Sequence, residues 1–336
     1  METRLKVAIL RTLRDARHRM GSAAIAQRLR EYGIDLKPRT VRVYLEELCD
    51  SGLVSASRRG RSGGRRITAR GIAEIGDAAA AARVGMLSAK MDALAWRATF
   101  DPATGSGRIV VNFSTLDSRA LPRAVREICS VLGHGFGLGR YVGLHHPGER
   151  VGENRVPADH IGVGTVCTAT VRAALLHACI PNIPRFGGVL ELVDGTPIRF
   201  TDVITYDGTS LNPNEIFIKS GLLSVREVIR TGTGRIGATL HEIPNAALEE
   251  VERLVAQLES AGVGGAIMVG RPDRSVLGFP VQEGRTGLII PSGLNPLAAV
   301  SEAGVPTENV AFAHVCDVQR LMPYNQLAAE LGIAVN

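Results

Sequence analysis

Apolar residues in the first fifty positions recur every three or four residues, as they do on one face of an α-helix. Two such runs, from Leu5 to Leu13 and within SAAIAQRLREYGI, predict a first and a second helix, and Gly33 supplies a stop signal for the second. A third helix is predicted from Pro38, because proline is tolerated in the first turn of a helix. Its predicted buried stripe is Val41, Leu45 and Leu48, which leaves Arg39, Thr40, Arg42 and Val43 on the outward face.

Two short apolar segments follow this helix, at residues 53–57 and 66–68, and the arginine- and glycine-rich RRGRSGGR separates them. This arrangement predicts a β-hairpin, and the three helices with a hairpin predict a winged helix-turn-helix over residues 1–70. Arginines on such a wing can pair with phosphates or enter a minor groove. The predicted DNA contacts are Lys37, Arg39, Thr40, Arg42, Arg58, Arg59, Arg61, Arg65 and Arg66. A winged helix that binds protein instead of DNA is the alternative, because a fold does not determine a function.

The distribution of charge favours DNA. Residues 1–85 hold 18 Lys and Arg against 9 Asp and Glu, whereas the remainder holds 21 against 24. A basic segment attached to a slightly acidic body is typical of a protein in which a phosphate-binding module is joined to a module with a different function.

Composition limits the class of protein. A chain of 336 residues with 45% hydrophobic residues predicts two or three globular domains. The five cysteines are scattered without a CxxC pair, which argues against a disulfide framework and a zinc site and favours a reducing cytoplasm. No apolar segment is long enough to cross a bilayer, and the glycine clusters match neither a P-loop nor a dinucleotide fingerprint, so no membrane association, cofactor or metal is predicted.

The alanine-rich stretch from Gly71 to Trp96 has high helix propensity, and we predict a connecting helix within residues 71–100. Beyond it the chain contains an internal duplication. GRIVVNFSTLDSRALPRAVREICSVLG, from Gly107, matches GRIGATLHEIPNAALEEVERLVAQLESAG, from Gly234, and a second alignment at one constant offset begins with Ala173 and Ala298.

Each copy predicts the order strand, helix, strand, strand, helix, strand, which is that of a ferredoxin-like βαββαβ domain. The predicted fold class is therefore α+β, with an N-terminal winged helix-turn-helix and a duplicated ferredoxin-like regulatory domain. Residues 101–232 would form its first half, including an insertion from Phe186 to Gly232, and residues 233–336 its second half.

Three runs mix Gly, Pro, Thr, Asn and Cys in ways that no secondary-structure period requires. They are GVGTVCTATV with IPRFGG, then RFTDVITYDGTSLNPNEIFI, and SGLNPLAAVSEAGVP. Through these runs, residues from about 107 to 315 resemble the regulatory domain of the NrpR family, and residues 1–70 resemble its winged helix. The resemblance implies a transcriptional repressor of nitrogen-assimilation genes whose small-molecule anion effector is 2-oxoglutarate. Members of that family often carry two regulatory domains where this chain has one.

A dicarboxylate effector needs cations near its two carboxylates and donors for its keto oxygen. Arg185 and Arg199 are the candidate cations, and a predicted strand-to-helix junction after Gly164 could gather an anion at helix N-terminal amides. The predicted effector-binding residues are Thr165, Cys167, Thr168, Thr170, Arg185, Arg199 and Asn212. Each also has a structural interpretation, as a buried small residue, a helix cap or turn residue, or a member of an ion pair.

The sequence therefore predicts a repressor that forms a homodimer or higher homo-oligomer and presents two winged helices to an inverted-repeat operator in double-stranded DNA. A regulator of the leucine-responsive class, which also joins a helix-turn-helix to a βαββαβ domain, is the nearest alternative, but that smaller class lacks the long TVCTATV to NPNEIFI block. An enzyme that uses Cys167 with His177, His145 or His146 is a third interpretation, as is acid/base chemistry by His241 and Glu242. Neither group has a third orienting residue at a recognisable spacing.

Overall fold

The computed structural model describes residues 2–55, 64–81, 86–207 and 209–333. The chain divides into two compact units, Met1–Val84 and Gly85–Asn336. Within the described ranges, none of the helices combines the length and the apolar character that a bilayer crossing requires. All five cysteines fall within these ranges as free thiols.

The first unit is a small helical body with a two-stranded sheet. Its elements are α1 (Glu2–Ala16), α2 (Ser22–Glu31), α3 (Pro38–Asp50), β1 (Val54–Ser55), β2 (Arg66–Ile67) and α4 (Ala69–Ala81). The antiparallel pair β1–β2 aligns Val54 with Ile67. The core comes from the predicted apolar faces of the first three helices, and Val41, Leu45 and Leu48 are buried in it. The periodic pattern therefore predicted this unit correctly, because its contacts are mostly local.

The stretch predicted as one connecting helix is divided between the two units. α4 contributes Ile75 to the core of the first unit. The next described helix, α5 (Met86–Arg97), contributes Met91 and Leu94 to the core of the second unit. Residues 82–85, between the two helices, lie outside the described ranges.

The second unit contains two five-stranded antiparallel sheets with helices packed on them. After α5 come β3 (Arg108–Asp117), α6 (Leu121–Gly133), β4 (Tyr141–His145), β5 (Arg150–Val151), β6 (Asn154–Arg155), β7 (His160–Val166), α7 (Ala169–His177), β8 (Ile183–Val193), β9 (Thr196–Thr205), α8 (Pro213–Lys219) and α9 (Val225–Thr231). Then follow β10 (Gly234–Pro244), α10 (Leu248–Ser260), β11 (Met268–Val269), β12 (Arg285–Pro291), α11 (Asn295–Glu302), β13 (Glu308–Asp317), β14 (Met322–Pro323) and α12 (Tyr324–Glu330).

The sheets exchange strands between the halves of this unit. One sheet has the order β13-β3-β7-β4-β14 and the other β11-β12-β10-β8-β9. The last strand of the predicted βαββαβ order in the first half, β8, thus pairs with β10, and that of the second half, β13, pairs with β3. The prediction of a duplicated ferredoxin-like domain with halves at residues 101–232 and 233–336 did not include this exchange. Exchange of the last strands covers the edge that β3 and β10 would otherwise expose and joins both halves into one body.

Candidate DNA-binding face and effector site

The outward face of α3 carries cations that have no acidic partner within the described part of the chain. Lys37 is the extended N-cap residue before Pro38, and the side chains of Lys37, Arg39 and Arg42 are exposed. None of these three forms an ion pair with a described residue, whereas Arg30 on α2 is held 2.8 Å from Asp35. Thr40 is exposed beside them, as predicted from the helical period. The face therefore presents positive charge that is available to phosphates.

The structure describes the base of the predicted wing. Arg66 is exposed on β2, and Arg65 exchanges backbone hydrogen bonds with Met20, of 2.8 Å and 2.9 Å. The Arg65 side chain is half-buried. The other predicted wing arginines, Arg58, Arg59 and Arg61, lie outside the described residues.

The predicted anion-binding junction between β7 and α7 is buried and largely engaged with the protein itself. The Thr170 hydroxyl accepts a hydrogen bond from Val110 N at 3.1 Å and donates one to Val110 O at 2.9 Å. Thr165 is 2% exposed, and its hydroxyl accepts from Asn112 Nδ2 at 3.3 Å. Because Thr170 completes the hydrogen bonding of β3 where β7 ends, its contacts are those of a structural residue.

The equivalent junction of the second half makes the same contact. Asn295 Oδ1 accepts from Gly237 N at 2.8 Å, and Asn295 Nδ2 donates to Gly237 O at 2.9 Å. The two junctions also touch, since a β-carbon on Gly293 would lie 1.8 Å from Val166 O. Only glycine fits there. The unusual composition of the TVCTAT and SGLNP runs is therefore explained in part by their packing against each other.

Thr168 and Cys167, in the same junction, are also buried. Burial raises the pKa of the Cys167 thiol to about 11. A nucleophilic cysteine requires the thiolate at neutral pH, so this environment opposes the enzymatic interpretation.

The candidate base His177 has a backbone partner, since its Nε2 lies 2.7 Å from Ala98 O. His241, beside Glu242, is fully buried, and desolvation lowers its pKa to about 3, so it is neutral at physiological pH.

The two arginines predicted to clamp a dicarboxylate are not brought together. Arg199 lies on β9 opposite Glu191, and its Nε is 2.7 Å from Glu191 Oε2. Arg185 lies on β8 six residues before Glu191, which corresponds to roughly 20 Å along a strand. Arg185 lies beside Glu242 and Arg199 beside Glu191, so the two arginines contact different carboxylates in the structure. Arg199 is instead a member of an exposed ion pair on an edge strand.

Arg185 lines a cavity of about 320 Å³ together with an arginine that the sequence did not single out, Arg172 of α7. Arg172 Nη1 donates to Asn182 O at 2.9 Å and to Asn182 Oδ1 at 2.8 Å, and its Nη2 donates to Asp92 Oδ1 at 2.5 Å. Ser88 and Thr205 add hydroxyls to the lining. The carboxylates of Asp92 and Asp207 also line the cavity, so two guanidinium groups share it with two carboxylates. A small dianion would bind the guanidinium groups by displacing a carboxylate.

Asn212 belongs to a different polar recess. Its Oδ1 accepts from Asn214 N at 2.9 Å, as in an N-cap of α8, while Asn212 Nδ2 and Asn214 Oδ1 are buried without a hydrogen-bond partner among the described residues. A β-carbon on Gly237 would lie 2.7 Å from Asn214 Oδ1, which places this recess beside the two junctions. The structure thus brings the NPNEI segment to the junctions and leaves it out of the lining of the arginine cavity.

Comparison with known proteins agrees with both units. The family described as NrpR regulatory domains NRD1 and 2 matches residues 84–323, and the ribonuclease R winged-helix domain matches residues 7–75. The global nitrogen regulator NrpRI of Methanosarcina mazei is 32% identical over 94% of this chain and 96% of its own length. The global nitrogen regulators NrpR of Methanocaldococcus jannaschii and Methanococcus maripaludis are 29% and 25% identical over 72% and 96% of this chain, which spans 40% and 55% of their length.

A solved structure supports the same relationship. A nitrogen repressor-like protein from Methanococcus jannaschii is 28% identical, with a TM-score of 0.59 over 71% of this chain and 97% of its own. The family model covers more than half of the chain, and the Methanosarcina mazei relative matches nearly all of it. On this evidence the chain belongs to the NrpR family.

Proposed function

We propose that this chain is a ligand-responsive transcriptional repressor of nitrogen-assimilation genes that binds a double-stranded DNA operator through its first unit. The observation that carries the proposal is the exposed face of α3, where Arg39 and Arg42 have no ion-pair partner among the described residues. The chain also belongs to a family whose members are named nitrogen regulators. The N-terminal residues of a recognition helix contact base edges in the major groove, and neighbouring cations contact phosphates. A homodimer would present two such helices to an inverted repeat.

We further propose that 2-oxoglutarate relieves DNA binding, and that the arginine cavity of the second unit holds it. Arg172 and Arg185 would each bind one carboxylate, with the Thr205 hydroxyl as a donor near the keto oxygen. The residues of the β7–α7 junction would then support the fold instead of binding the effector. Thr170 and Asn295 make the same contact at equivalent positions, which supports the proposal that the halves are diverged copies of one ferredoxin-like unit.

A titration of purified protein against its own promoter region at fixed salt tests this function. We expect specific binding that millimolar 2-oxoglutarate weakens and that succinate and glutamate leave unchanged. Release by an amino acid instead of 2-oxoglutarate would favour a regulator of the leucine-responsive class. Equal affinity for promoter and unrelated DNA would refute the assignment of the first unit as an operator-binding module.

A further inference from the structure

One ion pair joins the first helix of the second unit to the arginine cavity. Asp92 of α5 accepts a hydrogen bond of 2.5 Å from Arg172 of α7, and both residues line the cavity. The two partners differ in their surroundings, since the Asp92 side chain is 59% exposed and the Arg172 side chain is 17% exposed. Asp92 can therefore turn to solvent at little cost, whereas Arg172 cannot.

Arg172 keeps its orientation without Asp92. Its Nη1 donates to both oxygens of Asn182, and Asn182 Oδ1 also lies 3.3 Å from Nδ1 of His241. The Nη2 group that Asp92 engages thus faces the cavity from a fixed guanidinium. Such a group binds a carboxylate with a smaller loss of side-chain entropy than a free arginine would.

Arg185 has an incompletely satisfied guanidinium on the other side of the cavity. Its Nε is 3.6 Å from Glu242 Oε1, beyond hydrogen-bond distance, and its side chain is 38% exposed. Glu242 is fully buried, and its Oε2 has no hydrogen-bond partner among the described residues. Arg185 can therefore bind a ligand carboxylate through its Nη groups while its Nε stays beside Glu242, which keeps the buried carboxylate paired.

We propose that Asp92 and a ligand carboxylate compete for Arg172, so that a dicarboxylate bound between Arg172 and Arg185 breaks the ion pair that joins α5 to α7. This inference rests on the proposed effector function and adds its mechanism. α5 is the first element of the second unit and follows residues 82–85, which lead from the first unit along the chain. A ligand that binds more tightly when the Asp92–Arg172 pair is broken shifts the protein toward the state without that pair. If operator binding requires the pair, the same coupling free energy weakens operator binding.

The test is calorimetric binding of 2-oxoglutarate and succinate to the full chain and its variants. Asp92→Asn removes the competitor, and we expect 2-oxoglutarate to bind about three- to five-fold more tightly, the range that an exposed ion pair allows. Asp207→Asn is the matched control, because Asp207 lines the same cavity and forms no ion pair with a described residue. If the control raises affinity as much as Asp92→Asn, the effect is general electrostatics and the competition is refuted.

Two further measurements separate this inference from the proposed function. Hydrogen exchange should increase in the turn of α5 that carries Asp92 when 2-oxoglutarate binds the wild type, and Asp92→Asn should show that increase without ligand. Unchanged exchange in both proteins refutes the loss of the ion pair on ligand binding. Arg172→Lys keeps the charge but loses the planar group, and should weaken ligand binding by ten-fold or more in a folded protein. Ligand binding with these signatures but no specific operator binding would uphold the competition and refute the repressor. Specific operator binding with no dicarboxylate bound to the wild type would uphold the DNA-binding module and refute the cavity assignment.

Discussion

Replacement of Thr170 by valine would decide whether the TVCTAT segment binds a ligand or stabilises the fold. Thr170 is 1% exposed, and its hydroxyl is bonded to both backbone groups of Val110. Valine has nearly the same shape without the hydroxyl. Val110 O would still accept from Cys167 N at 3.0 Å, but Val110 N would lose its acceptor. A buried N–H without an acceptor costs about 1–3 kcal/mol, and we expect the free energy of unfolding of the second unit to fall by that amount.

Differential scanning calorimetry measures this loss. Trp96, the single tryptophan of the chain, is 71% exposed in the folded protein, so calorimetry follows unfolding of the second unit better than tryptophan fluorescence does. For a unit of this size, each kcal/mol corresponds to roughly 2–4 °C in Tm. Thr170→Ser is the matched control, because it removes the methyl group and keeps the hydroxyl, at a cost of about 1 kcal/mol.

Two results would refute this reasoning. A Thr170→Ser variant that unfolds at a lower temperature than Thr170→Val would show that packing, and not the hydroxyl, carries the stability. A Thr170→Val variant with the Tm of the wild type but weaker 2-oxoglutarate binding would return Thr170 to the effector site.

Three other outcomes follow from the described contacts. Arg39→Ala should weaken operator binding and, if the residue contacts a phosphate, reduce the slope of log affinity against log salt by about 1. Arg30→Ala should do neither, because the Arg30 guanidinium is paired with Asp35. Arg199→Ala should leave the effector response of DNA binding intact in the promoter titration, because this arginine is exposed on an edge strand; loss of the response would place it back in the site. Alkylation at pH 7.5 followed by mass spectrometry should modify the exposed Cys179 well before Cys167, because burial raises the pKa of the Cys167 thiol; equal rates would contradict that environment.

The winged helix could be predicted from the sequence because its signals are local. The spacing of Val41, Leu45 and Leu48 defines the buried face of α3 within three turns, and the same spacing places Arg39 and Arg42 outside. The order of strands and helices in the second unit could be predicted for the same reason. The pairing of the last strands could not, because separate and exchanged halves have the same order of elements and the same hydrophobic periods.

Residues that act through distant partners escaped prediction. Arg172 sits within the aliphatic helix VRAALLHA, and its chemistry is set by Asp92, 80 positions earlier in the chain. Arg199 is a candidate because it stands in the run RFTDVITYDGTSLNPNEIFI, and such a local pattern does not report the edge position of β9 or the pairing with Glu191. The unusual composition of the junction runs is a local signal that the sequence does provide. In the structure, part of that composition is explained by the packing of the two junctions against each other.

Because the strands are exchanged, the two arginines of the cavity lie on elements associated with different sheets. Arg172 lies on α7, which follows β7 of one sheet, and Arg185 lies on β8, which belongs to the other sheet. The short connection between His177 and Ile183 is where the chain passes from one half to the other. A dicarboxylate that binds both arginines therefore spans this crossing, and competition at Arg172 transmits its presence to α5 as well. Coupling of this kind needs no large movement of the sheets, because the halves share β8 and β13 and the ion pair between Asp92 and Arg172 is the contact that changes.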